Sequence, residues 1–95
     1  MHLKNYEDMK IIKETKYLYF SDESEGYSKK TKTIAIINKS SGYLLAYIQW
    51  YGTWRQYCFM PILEFDTVWN NTCLTDVISV INDLMKERTI EKSKL

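Results

Sequence analysis

From Ser40 to Leu63 the chain carries one charged side chain, Arg55. A stretch that poor in charge has to be covered by something, because exposed chain is normally polar or charged. It is not one element. Gly42 and Gly52 break it, and Pro61 stops its last piece. No run reaches the roughly eighteen apolar residues that a membrane-spanning helix requires. What remains is a set of short apolar pieces separated by turns, which is the signature of an antiparallel sheet.

The strands follow from composition. "YLLAYIQWY" (43–51) and "WRQYCFM" (54–60) are aromatic and β-branched, as is "TKTIAIIN" (31–38). "KIIKETKYLYF" (10–20) reads as one further strand. "SDESEGYSKK" (21–30) is too polar to be covered and reads as a loop. Gly42 is expected to take the left-handed conformation of a tight hairpin. Gly52 and Thr53 suit a two-residue turn with glycine first. Residues 61–71 read as an irregular crossing.

Beyond that crossing, "NTCLTDVISVINDLMKERTI" (71–90) has helical periodicity. Leu74, Val77, Ile78, Ile81, Leu84, Met85 and Arg88 are expected to form its apolar stripe, with Asn71 or Thr72 as its cap. Asp76 in the first turn and Lys86 and Arg88 in the last would complement the helix dipole. The fold class is therefore α+β: an antiparallel β-meander of about four strands with one C-terminal amphipathic helix on one face. Residues 1–95 form a single domain, with 1–10 and 89–95 as loose ends.

Side-chain alternation assigns the faces. A two-residue turn sets Trp50 opposite Arg55 and Ile48 opposite Tyr57. The Gly42 hairpin sets Ile36 beside Ala46 and Ile34 beside Ile48. The helix floor is then Ile34, Ile36, Leu44, Ala46, Ile48, Trp50, Arg55, Tyr57 and Phe59. The opposite face holds Ala35, Ile37, Leu45, Tyr47, Gln49, Tyr51, Trp54, Gln56, Cys58 and Met60. That face is too apolar for open water, and an apolar patch of this kind marks contact. The N-terminal strand, a second copy or a partner would cover it.

Catalysis is not expected. The one histidine, His2, lies far from both cysteines in sequence, so neither a nucleophile–base pair nor a metal set forms. Cys58 and Cys73 read as reduced structural thiols. Asp76 and Asp83 read as a solvated helix face, and Glu64 and Asp66 as loop carboxylates within possible reach of Arg55. Gly26, Gly42 and Gly52 stand one per turn, so there is no phosphate-binding loop. No cofactor is expected. The net charge of +1 argues against capture of long nucleic acid.

The candidate binding residues are Tyr47, Trp50, Tyr51, Trp54, Arg55 and Gln56, since Trp, Tyr and Arg dominate interface hot spots. Arg55 facing Trp50 would make a cation–π contact. The same rings could stack on a nucleotide or single strand, with Arg55 or Lys29, Lys30 and Lys32 holding phosphates. "MHLKNYEDMK" lacks the apolar core of a signal peptide, so a cytoplasmic protein is expected.

One resemblance adds a setting. Trp50, Tyr51, Trp54, Arg55, Gln56, Tyr57, Cys58, Phe59 and Pro61, followed by Cys73, Leu74 and Asp76, form a string similar to one in small proteins of bacteriophages and prophages. The likeness spans 41–88. It implies an accessory protein in the host cytoplasm that acts by stoichiometric binding, an anti-defence inhibitor of a host protein or a trap for its nucleotide signal. A homo-oligomer is expected. The alternatives are a nucleotide or single-stranded nucleic-acid binding module, and a structural subunit of an oligomer.

Overall fold

The alternating apolar pieces form one antiparallel sheet, seen in a computed structural model that describes residues 9–24, 30–63 and 66–93. The strands are β1 (Ile11–Glu14), β2 (Leu18–Asp22), β3 (Ile34–Asn38), β4 (Leu44–Tyr51) and β5 (Gln56–Pro61), and a helix α1 (Asn71–Ser93) follows. The order across the sheet is the order along the chain, a meander of five strands. The fifth strand comes from the segment 10–20, which turns back at Thr15–Tyr17 instead of running through. The Thr15 N–H donates to the Leu18 carbonyl at 2.9 Å, and the Leu18 N–H donates to the Thr15 hydroxyl at 3.3 Å. A threonine can hold a turn this way without glycine or proline.

The helix starts at Asn71, and its cap is Asn70, one residue before the nearer of the two expected caps. Asn70 Oδ1 accepts the Cys73 N–H at 2.8 Å, satisfying an orphan donor of the first turn. No acidic residue lies in that turn, so Asp76 sits beyond the reach first assigned to it. The helix continues to Ser93, through part of the segment expected to be loose.

The main core lies between sheet and helix. Leu18, Phe20, Ile34, Ile36, Ala46, Ile48 and Tyr57 meet Cys73, Val77, Val80 and Leu84. Phe20, Ile34, Ile36 and Ile48 are completely buried, and each side chain of that size contributes roughly 1.5–3 kcal/mol. The buried helix stripe is rotated from the expected one. Cys73 and Val80 point inward, while Leu74 and Ile78 are 40% and 57% exposed. Both stripes are apolar, and the sheet selects between them.

A smaller cluster of Ala35, Ile37 and Leu44 lies on the opposite face, covered by Met9, Tyr19, Tyr47 and Ile62. Leu44 and Leu45 exchange the faces expected for them. The β3–β4 register shifts between Ile36 and Ile37, which places an extra residue on β4 and reverses alternation beyond it. Leu45 accordingly packs against the helix-side core.

Two lysines tie the first half of the chain to α1. Lys13 Nζ donates to Ser79 Oγ at 2.9 Å, and Lys32 Nζ pairs with Glu87 at 3.3 Å. Asp22 closes β2 and accepts the Ser24 N–H at 2.9 Å. Burial would raise its carboxyl pKa. The Ser24 hydrogen bonds and the charges of Lys10 and Lys32 outweigh burial, holding the pKa below the usual value.

Candidate functional site

The six candidate residues arise from one hairpin but do not form one site. The expected two-residue turn is a four-residue turn, and Tyr51 pairs with Gln56 and Trp50 with Tyr57. The pairing has moved by two residues from the expected register. Because alternation has a period of two, the faces survive the shift. The partner of Trp50 does not, since Arg55 leaves the strand and enters the turn.

Trp50 is half-buried on the helix side. It meets Tyr57 edge to face at 5.4 Å, and the cation over its ring is Arg88, 4.2 Å from the centroid. The cation–π contact expected of Arg55 therefore belongs to α1. Glu64, one of the two loop carboxylates considered for Arg55, lies outside the described residues. Tyr47 is half-buried on the opposite face against Ala35, Ile37 and Leu44.

Tyr51, Trp54, Arg55 and Gln56 stay together at the hairpin end, and all are exposed. Trp54 is the most open aromatic there, 65% exposed against 39% for Tyr51. Their rings meet edge to face at 5.1 Å and 85°. That contact fixes the Trp54 ring while leaving most of it in water. The turn is closed by the Trp54 N–H to the Tyr51 carbonyl and the Arg55 N–H to the Gly52 carbonyl, both 3.2 Å. Arg55 takes a positive φ of 54°, a conformation that side chains with a Cβ rarely adopt.

The sequence drew attention to Arg55 and passed over Arg88 as a helix-dipole residue. A signal was present: Arg88 is the last residue of the apolar stripe, so its position already placed it over the sheet. Lys30 and Lys32 are described and lie near α1. Lys29 lies outside the described residues. Among the described residues no three His, Cys, Asp or Glu side chains gather to hold a metal. No helix among them is long and apolar enough to cross a membrane.

No protein-family model matches the sequence, and no solved structure matches it. It is similar to the "Uncharacterized 9.3 kDa protein" of Acholeplasma phage L2, with 39% identity over 77 residues. The matched region covers 81% of this chain and 95% of the phage protein. At that identity, across nearly the whole relative, the chain belongs to the same family of small phage proteins as the Acholeplasma phage L2 protein.

Proposed function

We propose that this is a non-enzymatic phage accessory protein that works by stoichiometric binding to a host protein, as an anti-defence inhibitor in the host cytoplasm. The hairpin end is its contact surface. The observation that carries this reading is Trp54, 65% exposed and braced by Tyr51 on a turn whose Arg55 sits at φ 54°. A large rigid ring costs little entropy to dock, and buried Trp, Tyr and Arg supply most of the energy at protein interfaces.

A protein partner suits this end better than a stacked nucleotide. Sandwiching a base takes two parallel rings with a gap between them. Tyr51 and Trp54 are nearly perpendicular and in contact, and Trp50 is engaged by Arg88 on the other face. Use of the same end as a permanent contact in a homo-oligomer is the structural-subunit alternative.

The test is native mass spectrometry of tagged protein from infected host cells, beside its Trp54→Ala variant. The wild type is expected to carry a host protein in fixed stoichiometry. Trp54→Ala should weaken that complex by about 2 kcal/mol or more. Its melting temperature should stay close to wild type, since an exposed surface change is worth about 0.5 kcal/mol or less. An unaltered complex in the variant would remove the hairpin end from the contact. A self-associated species with no host protein would favour the structural subunit.

A further inference from the structure

Away from the hairpin end, the seam between α1 and the segment around Lys30–Lys32 contains a small notch that opens beside a longer groove. We infer that this seam is a binding site for a small phosphate monoester, with an oxygen of the phosphoryl group in the notch and one apolar ring or short chain in the groove.

The notch comprises about 20 Å³ and is lined by Lys30, Lys32, Tyr57, Leu84, Glu87 and Arg88. A cavity of that size holds about one water-sized atom, so the notch takes a single phosphoryl oxygen and not a ring. Its charges are unbalanced, with three cations facing the single carboxylate of Glu87. Among the described residues Glu87 pairs with Lys32, and both side chains of that pair are about half exposed, at 44% and 53%. An ion pair that open is worth little and yields readily to a better-placed anion.

The donors are prepared. Arg88 lies over Trp50 with its Cζ 4.2 Å from the ring centroid, and its Nε is out of solvent with no acceptor among the described residues. A guanidinium set over a ring with an unused Nε–H suits a phosphoryl or carboxylate group. The Tyr57 hydroxyl is buried and accepts the Lys32 N–H at 2.9 Å, which leaves its own proton to donate. A buried donor without an acceptor is costly in a folded protein, and a ligand anion would relieve that cost.

The groove shares Lys32, Leu84 and Glu87 with the notch and comprises about 210 Å³. Its apolar lining is Ile12, Val80 and Leu84, and Lys13 and Asp83 stand with Lys32 and Glu87 along it. Drug-sized ligands occupy pockets of roughly 300–1,000 Å³, so this occupant is smaller. Asp83 and Glu87 would repel a second anionic group in the groove. The occupant thus has one charged end and one apolar end.

The test is NMR titration of the full chain with phenyl phosphate, inorganic phosphate and benzoate. Phenyl phosphate is expected to shift the Arg88 Nε–H, the Lys32 amide and the Val80 and Leu84 methyls saturably. It should bind about tenfold more tightly than inorganic phosphate, because only it buries a ring. Benzoate should bind more weakly than phenyl phosphate. Arg88→Gln should weaken phenyl phosphate about tenfold or more, the loss expected for a hydrogen bond to a charged group. Lys30→Gln should weaken it several-fold, and this exposed position keeps the fold intact if Arg88→Gln disturbs Trp50. Trp54→Ala should leave binding unchanged, so this site and the proposed protein contact fail separately. Equal binding of phenyl phosphate and inorganic phosphate would overturn the site. So would shifts spread over surface lysines such as Lys10 and Lys16, or binding insensitive to both Arg88→Gln and Lys30→Gln.

Discussion

The two hairpins on either side of β4 solve the same problem in opposite ways. At the β3–β4 end, Asn38 Oδ1 accepts the Ser40 N–H, the Ser41 N–H and the Ser40 hydroxyl, at 2.9, 3.0 and 2.8 Å. The Gly42 N–H donates to the Asn38 carbonyl at 2.8 Å, and Gly42 takes the left-handed conformation at φ 78°. At the β4–β5 end the turn bonds are 3.2 Å, and the left-handed residue is Arg55. Gly52 lies in the same turn without a positive φ, and a Cβ built on it would meet nothing within 4 Å. One end is polar, well bonded and has glycine where glycine is needed. The other has glycine where no contact demands it, an arginine where glycine would fit, and an exposed Trp–Tyr pair. Local rules are broken most often at sites kept for function. The contrast supports the choice of the β4–β5 end as the contact surface.

The largest expected effect breaks the better-made hairpin. Gly42→Ala forces a Cβ into the left-handed region and should cost about 1–2 kcal/mol. For a domain of this size that lowers the melting temperature by about 4–8 °C per kcal/mol. Thermal unfolding followed by circular dichroism reads it directly. A variant that melts with the wild type would mean that the turn does not depend on glycine, and the contrast between the hairpins would vanish.

The reverse change belongs to the other end. Arg55→Gly should relieve the left-handed strain and stabilise the chain by about 1 kcal/mol, less what glycine loses through its freer unfolded state. The same substitution removes the only charge between Ser40 and Leu63. A variant that is more stable yet binds its host partner more weakly would identify Arg55 as a strained residue kept for contact. If Arg55→Gly melts well below wild type, the strain assigned to φ 54° is not there.

These positions also mark what the sequence disclosed. The faces of β4 and β5 were legible although the turn was misread, because a register change of two residues preserves alternation. A shift of one does not, and the bulge beside Ile37 exchanged Leu44 and Leu45 for that reason. No residue type announces a bulge. The break in 10–20 was hidden because Thr15 turns the chain with its hydroxyl, without glycine or proline. The helix itself was clear, but not its rotation. Leu74 and Ile78 are as apolar as Cys73 and Val80, so only the sheet beneath could choose. The cation over Trp50 was legible in kind but not in identity, since Arg55 and Arg88 both satisfy the chemistry and only the length of the turn separates them. In the candidate cluster, proximity in sequence grouped side chains that strand alternation sends to opposite faces. Trp50 is set on the helix side in this way, whereas Tyr47 shares the face of Tyr51 and is separated from the hairpin end by four residues of strand.

Gly52→Ala is the smallest expected effect and the sharpest control. With a negative φ and free space at the Cβ position, alanine fits the folded state as it stands. It also narrows the unfolded ensemble, and glycine-to-alanine changes at compatible positions stabilise by about 0.4–1 kcal/mol. The melting temperature should therefore rise slightly, opposite in sign to Gly42→Ala in the neighbouring hairpin. Two identical substitutions, one at each end of β4, would then differ only in the backbone conformation they meet. If Gly52→Ala instead lowers the melting temperature as Gly42→Ala does, Gly52 is needed for its conformation. The turn would then be closer to the two-residue form with glycine first, and Arg55 would return to the strand opposite Trp50.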